Sequence, residues 1–347
     1  MVYPGPDNAY HRHTVRPDTF YVSAGYFAID YRHAPRRAGR RQEPYRMGIY
    51  QKLRARLDRA GIRPSTRRGQ NFLLDMNQLQ LIAATAELDP NDVVLEVGPG
   101  SGFLTRRLAL SGCLVLGVEL DYGLLPLAQE ETAGLPNVFY LQGDILAGKN
   151  RINPAVLDRL QELMALKAAA PAADGGGKPV LKSVSNLPYS AGTPFVMNLL
   201  SSPLPWHSGV FLLQREVAER ITAAPGGKNY GALSISAGLG ATATIEHEVS
   251  PRCFWPRPKV DSAVIKMIFK PVEERLALPW TALRAVTNAV FGSRRKILKN
   301  ALKGLFPDGD AGETLACLGL NPESRGECLS PGDFLLLAKI VAEREQK

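Results

Sequence analysis

The chain has 347 residues, 45% of them hydrophobic, enough for one large or two ordinary domains with a sizeable core. Lys and Arg number 42 against 33 Asp and Glu, a net charge of +9 that suits an anionic partner without identifying one. No apolar run is long enough to span a membrane, the N-terminus lacks the apolar core of a signal peptide, and Cys113, Cys253, Cys317 and Cys328 form no close C-x-x-C pair, so a cytoplasmic protein is expected, with no membrane contact, disulfide scaffold or metal site.

In chain order, residues 1–45 show no sustained period and include "RHAPRRAGRRQEP". They read as a flexible basic extension, either an arm that contacts RNA or a solvated stretch without a partner. Residues 1–68 carry 15 basic and 5 acidic side chains, so the rest of the chain is nearly neutral and any basic surface on it must be local. Residues 50–60 follow a helical pattern with basic outer positions, and "NQLQLIAATAEL" predicts a helix ending before Asp89-Pro90. Next come "DVVLEVGPGSGFLTRRLALSG" (strand, glycine turn, helix), "CLVLGVELD" (strand), "YGLLPLAQEETAG" (helix with an internal proline) and "VFYLQGDIL" (strand). This βα alternation predicts a mostly parallel sheet with helices on both faces.

A helix-like run in "NRINPAVLDRLQELMALKAAA" leads to a low-complexity loop around residues 170–179. "VLKSVS" and "SGVFLLQ" read as further strands, "KNYGALSISAGLGA" as a helix, and "ATIEHEVS" and "SAVIKMIF" as late strands. Beyond Pro271 the pattern is helical throughout, in "WTALRAVTNAVFGS", "RRKILKNALKGLF", "AGETLACLG" and "PGDFLLLAKIVAERE". The expected organisation is an extension over 1–45, an α/β Rossmann-like domain over 46–274 and a smaller C-terminal helical domain over 275–347.

The candidate site residues sit where strands end. In "EVGPGSG", Glu96 precedes Gly98, Gly100 and Gly102, whose missing side chains allow a tight turn against a ligand. Position 103 is Phe, so the full G-x-G-x-x-G pyrophosphate signature is not met. A nicotinamide dinucleotide stays open, but an adenosine cofactor without a pyrophosphate, such as S-adenosylmethionine, fits better. Glu119, with Leu120 after it, ends the next strand, where a carboxylate can accept both ribose hydroxyls. Asp144 can accept from an adenine amine while Ile145 packs on the ring. In "NLPY", Asn186 offers an amide, the carbonyls of Leu187 and Pro188 offer further acceptors, and Tyr189 offers a ring face. Together these suit a flat group bearing an exocyclic amine.

These motifs, in this order, resemble the KsgA-type ribosomal RNA adenine dimethyltransferases. The resemblance runs through "GQNFLLD", "EVGPGSGFLT", "VEL", "GDIL", "NLPY", "CFWPRPKVDSAV" and "SRRKILKNAL". It implies a class I methyltransferase domain followed by a helical domain. It also implies N6,N6-dimethylation of two adjacent adenines in the 3′-terminal hairpin of 16S rRNA, with S-adenosylmethionine as cofactor, no metal, and the immature 30S subunit as the partner of a monomeric enzyme. Gln70, Asn71 and Leu73 are implied to line the cofactor entrance, and Gly98 and Gly100 to approach methionine and ribose. Glu119 is implied to bind the diol, Asp144 and Ile145 the cofactor adenine, and Asn186 to Tyr189 the target amine. Phe254 is implied to stack on the target base, with two alternatives: a core role for Phe254, or stacking by Trp255. Arg294, Arg295, Lys296 and Lys299 read as an RNA-binding basic helix end. An Erm-like enzyme acting on large-subunit rRNA and a non-catalytic nucleic-acid-binding factor are the alternatives.

Overall fold

Five strands whose buried positions are mostly apolar form the middle of the protein. The computed structural model describes residues 45–65, 69–148, 151–169, 178–306 and 311–345; the extension over 1–44 and most of the 170–179 loop lie outside them. The strands are β1 (Phe72–Leu73), β2 (Val93–Val97), β3 (Leu114–Glu119), β4 (Val138–Gln142), β5 (Leu181–Asn186), β6 (Trp206–Gln214), β7 (Ala241–Val249), β8 (Phe254–Trp255) and β9 (Ser262–Phe269). Seven of them form one sheet in the order β4-β3-β2-β5-β6-β9-β7, while β1 and β8 pair separately. The run from β4 to β6 is parallel, and β9 is antiparallel to both of its neighbours.

Strand periodicity sends alternate residues to opposite faces. Val93, Leu95 and Val97 enter one core with Leu114, Leu116 and Val118, packed against the helices Pro154–Ala169 and Gly192–Leu200. Val94, Val115, Val184 and Val210 enter the other, with the helices Tyr45–Arg59, Met76–Thr85 and Phe103–Ala109. This is the Rossmann-like α/β arrangement expected. Cys113 is a buried free thiol, pushed up to about 12 by burial. Among the described residues no helix is long and apolar enough to cross a membrane.

A third core joins Tyr230, Ile235 and Leu239 to Leu283, Val286, Leu298, Phe334 and Leu337 of the C-terminal helices. Two local expectations change. Pro126 is not internal to its helix but stands in the first turn of Leu125–Glu131, where a missing N–H costs nothing. Arg56 does not face outward: it is buried and pairs with Glu130 and Glu131, tying Tyr45–Arg59 to Leu125–Glu131. Its long-range carboxylate partners override the local helical pattern.

Candidate active site

The site opens where the sheet changes direction. β2 and β5 pair through Val93, Val94 and Leu95, and there the ladder stops. Beyond it two serine hydroxyls replace the ladder: Ser183 Oγ donates to Leu95 O at 3.2 Å, and Ser185 Oγ accepts the Val97 N–H at 2.9 Å. Where the strands separate, the hydroxyls thus satisfy the Leu95 carbonyl and the Val97 N–H. Because β3 and β5 flank the first sheet strand, β2, this is the switch point at which open α/β sheets form their binding crevice. A cavity of about 310 Å³ lies here, bounded by the ends of β2, β3, β4 and β5.

Gly98 and Gly100 turn at φ +69° and +53°, in the region that favours glycine. A Cβ on Gly98 would also lie 3.3 Å from Pro188 Cγ, and one on Gly100 3.2 Å from Phe72 Cε1. Glu119 is pinned by two backbone donors, Gly100 N–H to Oε2 at 2.9 Å and Asp121 N–H to Oε1 at 2.8 Å. Burial nonetheless raises its pKa, against the lowering by those bonds. Leu120 is exposed at the rim, Asp144 Oδ1 accepts from Leu146 N–H, and Ile145 is buried beside it. Gln70, Asn71 and Leu73 line the opposite wall with Phe72. The Gln70 amide bridges Ser65 N–H (2.7 Å) and Asp121 Oδ2 (2.9 Å), which straps this segment across the cavity.

Asn186 through Tyr189 all border the cavity. Asn186 Nδ2 donates to Asn71 O at 3.3 Å, and its Oδ1 accepts no bond among the described residues. The Pro188 carbonyl is not the spare acceptor expected, because it takes the N–H groups of Ala191 and Gly192 as the next helix begins. The Leu187 carbonyl accepts no such bond among the described residues. Phe254 is 5% exposed, pairs with Leu73 in the β1–β8 ladder and packs in the core, the alternative role the sequence leaves open for it, and it is not among the residues lining the cavity. Trp255 is half-buried against Tyr50, ring centroids 5.4 Å apart, and does not border it either.

The basic segment is helical over a shorter span than its pattern predicts. Residues 293–297 form a turn, and the helix covers only Leu298–Leu302. Arg294 donates to Lys228 O (2.9 Å) and Tyr230 O (2.6 Å) and lies over the Phe291 ring, and Lys299 pairs with Glu323. Arg295 and Lys296 are exposed and make no ion pair among the described residues.

Residues 63–343 match the ribosomal RNA adenine dimethylase family. The chain belongs to that family. It is 39% identical to the ribosomal RNA small subunit methyltransferase A of Phenylobacterium zucineum over 298 residues, spanning 84% of this chain and 94% of the relative. Identity to the enzyme of the same name from Moorella thermoacetica is 37%, over 81% of this chain and 93% of the relative. In fold it is similar to a dimethyladenosine transferase from Plasmodium falciparum (23% identity, TM-score 0.60, 78% of this chain and 97% of that one). It is also similar in fold to the 23S rRNA methyltransferase ErmE (24% identity, TM-score 0.54, 78% and 99%). The protein is therefore an S-adenosylmethionine-dependent rRNA adenine methyltransferase built on a Rossmann-like fold.

The enzyme keeps one carboxyl deeper than any other in this cavity. Glu96 is 1% exposed, its Oε2 has no hydrogen-bond partner among the described residues, and burial pushes it up to about 8, with Thr105 opposing the shift and Glu119 adding to it. The folded protein thus holds the proton to about pH 8, whereas an unfolded chain releases it near 4.5. The folded state carries the extra proton between those values, so this group makes stability fall as pH rises through the window. Glu96→Gln, neutral at every pH, is expected to lose that fall. Thermal scans should show the variant gaining on the wild type from about pH 5 to about pH 8; a constant difference would mean Glu96 is ionised throughout.

Three contributors escaped the sequence reading: Asp121, Phe72 and the serine pair Ser183 and Ser185. The polar "KSVSN" ending on an otherwise apolar strand was the available signal for the serines.

Proposed function

We propose that the enzyme dimethylates the N6 amines of two adjacent adenines in the 3′-terminal hairpin of 16S rRNA, acting as a monomer on the immature 30S subunit. The observation that carries the reading is the pairing of two free acceptors, Asn186 Oδ1 and the Leu187 carbonyl, beside the Tyr189 ring at the edge of the cavity. An adenine amine has two hydrogens, so two acceptors can hold both and favour the pyramidal amine whose lone pair is available to attack. Tyr189 supplies the ring face. The proton leaves after transfer, so no strong side-chain base is needed.

The residues present fit the cofactor. Glu119 spends one lone pair per oxygen on backbone donors and keeps one on each for a ribose diol. The second Asp144 oxygen is left for an adenine amine, with Ile145 and Leu120 against the ring. Glu96, Gly98, Gly100, Gln70, Asn71, Leu73 and Asn186 would enclose the remainder. S-adenosylmethionine supplies an electrophilic sulfonium methyl when bound.

The helical unit from about residue 275 would hold phosphates through Arg295 and Lys296. Arg295→Glu with Lys296→Glu is expected to cost about tenfold in RNA affinity at low salt and to reduce the salt slope by about two. Arg294→Glu should instead lower the melting temperature, since it breaks two carbonyl contacts and a ring contact. Binding across a salt series, paired with thermal scans, checks both halves.

The relatives at 39% and 37% identity are small-subunit methyltransferases, which favours this substrate over the Erm-like one. The test offers labelled cofactor to immature 30S particles, naked 16S rRNA and 23S rRNA. Label in the particles above all supports the proposal, and label mainly in 23S rRNA overturns it.

A further inference from the structure

The motif "PKVDSAV" places Ser262 at the first position of β9, fully buried. Its backbone is locked from both sides, paired with Gln214 of β6 and Val249 of β7. The residue before it is fixed as well, with Asp261 O accepting from Arg215 N–H at 2.9 Å. Ser262 is therefore among the most constrained points of the sheet. Its hydroxyl does not serve the sheet. It lies 2.9 Å from the Tyr189 hydroxyl.

Tyr189 has the opposite setting. It stands in the turn between β5 and the helix Gly192–Leu200 and is half-buried. Gly69 backs its main chain closely, since a Cβ there would lie 3.2 Å from Tyr189 N. The ring's near end is held by that backbone packing, and its far-end hydroxyl has Ser262 as its hydrogen-bond partner among the described residues. A ring fixed at both ends of its long axis cannot swing sideways, so its face stays where a flat ligand would meet it. Side-chain entropy is lost before the ligand arrives rather than on binding.

We infer that Ser262 is a positioning residue for methyl transfer: its bond to the Tyr189 hydroxyl holds the ring against which the target adenine stacks. This rests on the reading that Tyr189 contacts that base. Ser262 touches neither the base nor the cofactor and acts only through Tyr189, at a distance of 73 residues along the chain.

The test is a double-mutant cycle of Ser262→Ala and Tyr189→Phe in the full chain, which removes the bond from either end. Readouts are single-turnover methylation of immature 30S particles, cofactor affinity, and fluorescence of a 16S 3′ hairpin carrying 2-aminopurine at the target position. Each single variant should slow transfer by about 5- to 10-fold, the double variant no more than the slower single. Cofactor affinity should be unchanged, and stacking of 2-aminopurine should be weakened equally in all three. Losses that multiply in the double variant would overturn the inference, as would wild-type transfer in Ser262→Ala. If Ser262→Ala fails to fold, Tyr189→Phe together with its 2-aminopurine signal decides. Tyr189→Ala separates the two levels. Slowed transfer there with an unaffected Ser262→Ala sinks the positioning role alone, whereas unaffected transfer in Tyr189→Ala sinks the reading of Tyr189 and the inference with it.

Discussion

Asn186→Ala is expected to slow methyl transfer by about 100-fold while leaving cofactor affinity within about threefold. The amide oxygen is one of the two acceptors proposed for the target amine, and the Leu187 carbonyl remains when it is gone. A single acceptor holds one amine hydrogen and leaves the other free to rotate out of line, so binding survives better than reaction. Single-turnover kinetics on immature 30S particles and equilibrium cofactor binding measure the two effects separately. Asn186→Asp gives a further check. It keeps an acceptor but loses the Nδ2 bond to Asn71 O at 3.3 Å, so it should recover part of the rate and loosen the Gln70–Leu73 wall.

The largest stability effect is expected at Arg275. Its side chain is fully buried and serves five carbonyls: Lys270 at 3.0 Å, Leu199 and Leu200 at 3.1 Å, Ser202 at 2.9 Å and Leu204 at 2.7 Å. Burial lowers its pKa, with nearby Glu273 opposing the shift. Among the described residues no carboxylate pairs with it, so the charge is compensated by carbonyl dipoles at the C-terminal end of the helix Gly192–Leu200. That helix starts directly after the Asn186–Tyr189 motif, and Trp280 Nε1 donates to the main-chain Arg275 O at 2.8 Å, so one residue, through its side chain and its carbonyl, ties that helix to the helix Trp280–Phe291. Arg275→Leu strands several buried acceptors and should cost about 3–5 kcal/mol, lowering the melting temperature by about 10 °C. Arg275→Lys keeps the charge without the fork and should fall between. Thermal or denaturant unfolding checks the order. A leucine variant as stable as the wild type would mean water satisfies those carbonyls.

The alternation of apolar strands and helices was legible because parallel strands buried on both faces read as nearly continuous apolar runs, as in Val93–Leu95 and Leu114–Leu116. The polar strand ends Glu119, Asp144 and Asn186 were legible for the complementary reason: carboxylates and an amide at such sites stand out against an apolar run. What stayed hidden depends on partners far away in the chain. Arg56 and Arg275 look like surface charges until Glu131 and the Leu199–Leu204 carbonyls are brought to them. Phe254 reads as an available ring until β8 pairs with β1, nearly the length of the core domain away. Arg294 looks like a phosphate ligand on a basic helix, but the turn at 293–297 directs it to the carbonyls of Lys228 and Tyr230. In each case local spacing supplies the residue type, and the tertiary contact decides its job.

The most direct measurement is the identity and position of the product. After reaction of the purified enzyme with labelled S-adenosylmethionine and immature 30S particles, nuclease digestion and mass spectrometry of the 16S rRNA locate every methyl group. The expected result is N6,N6-dimethyladenosine at two adjacent positions of the 3′-terminal hairpin, absent with Asn186→Ala at matched times. Methylation confined to another RNA, or to adenines outside that hairpin, would contradict it.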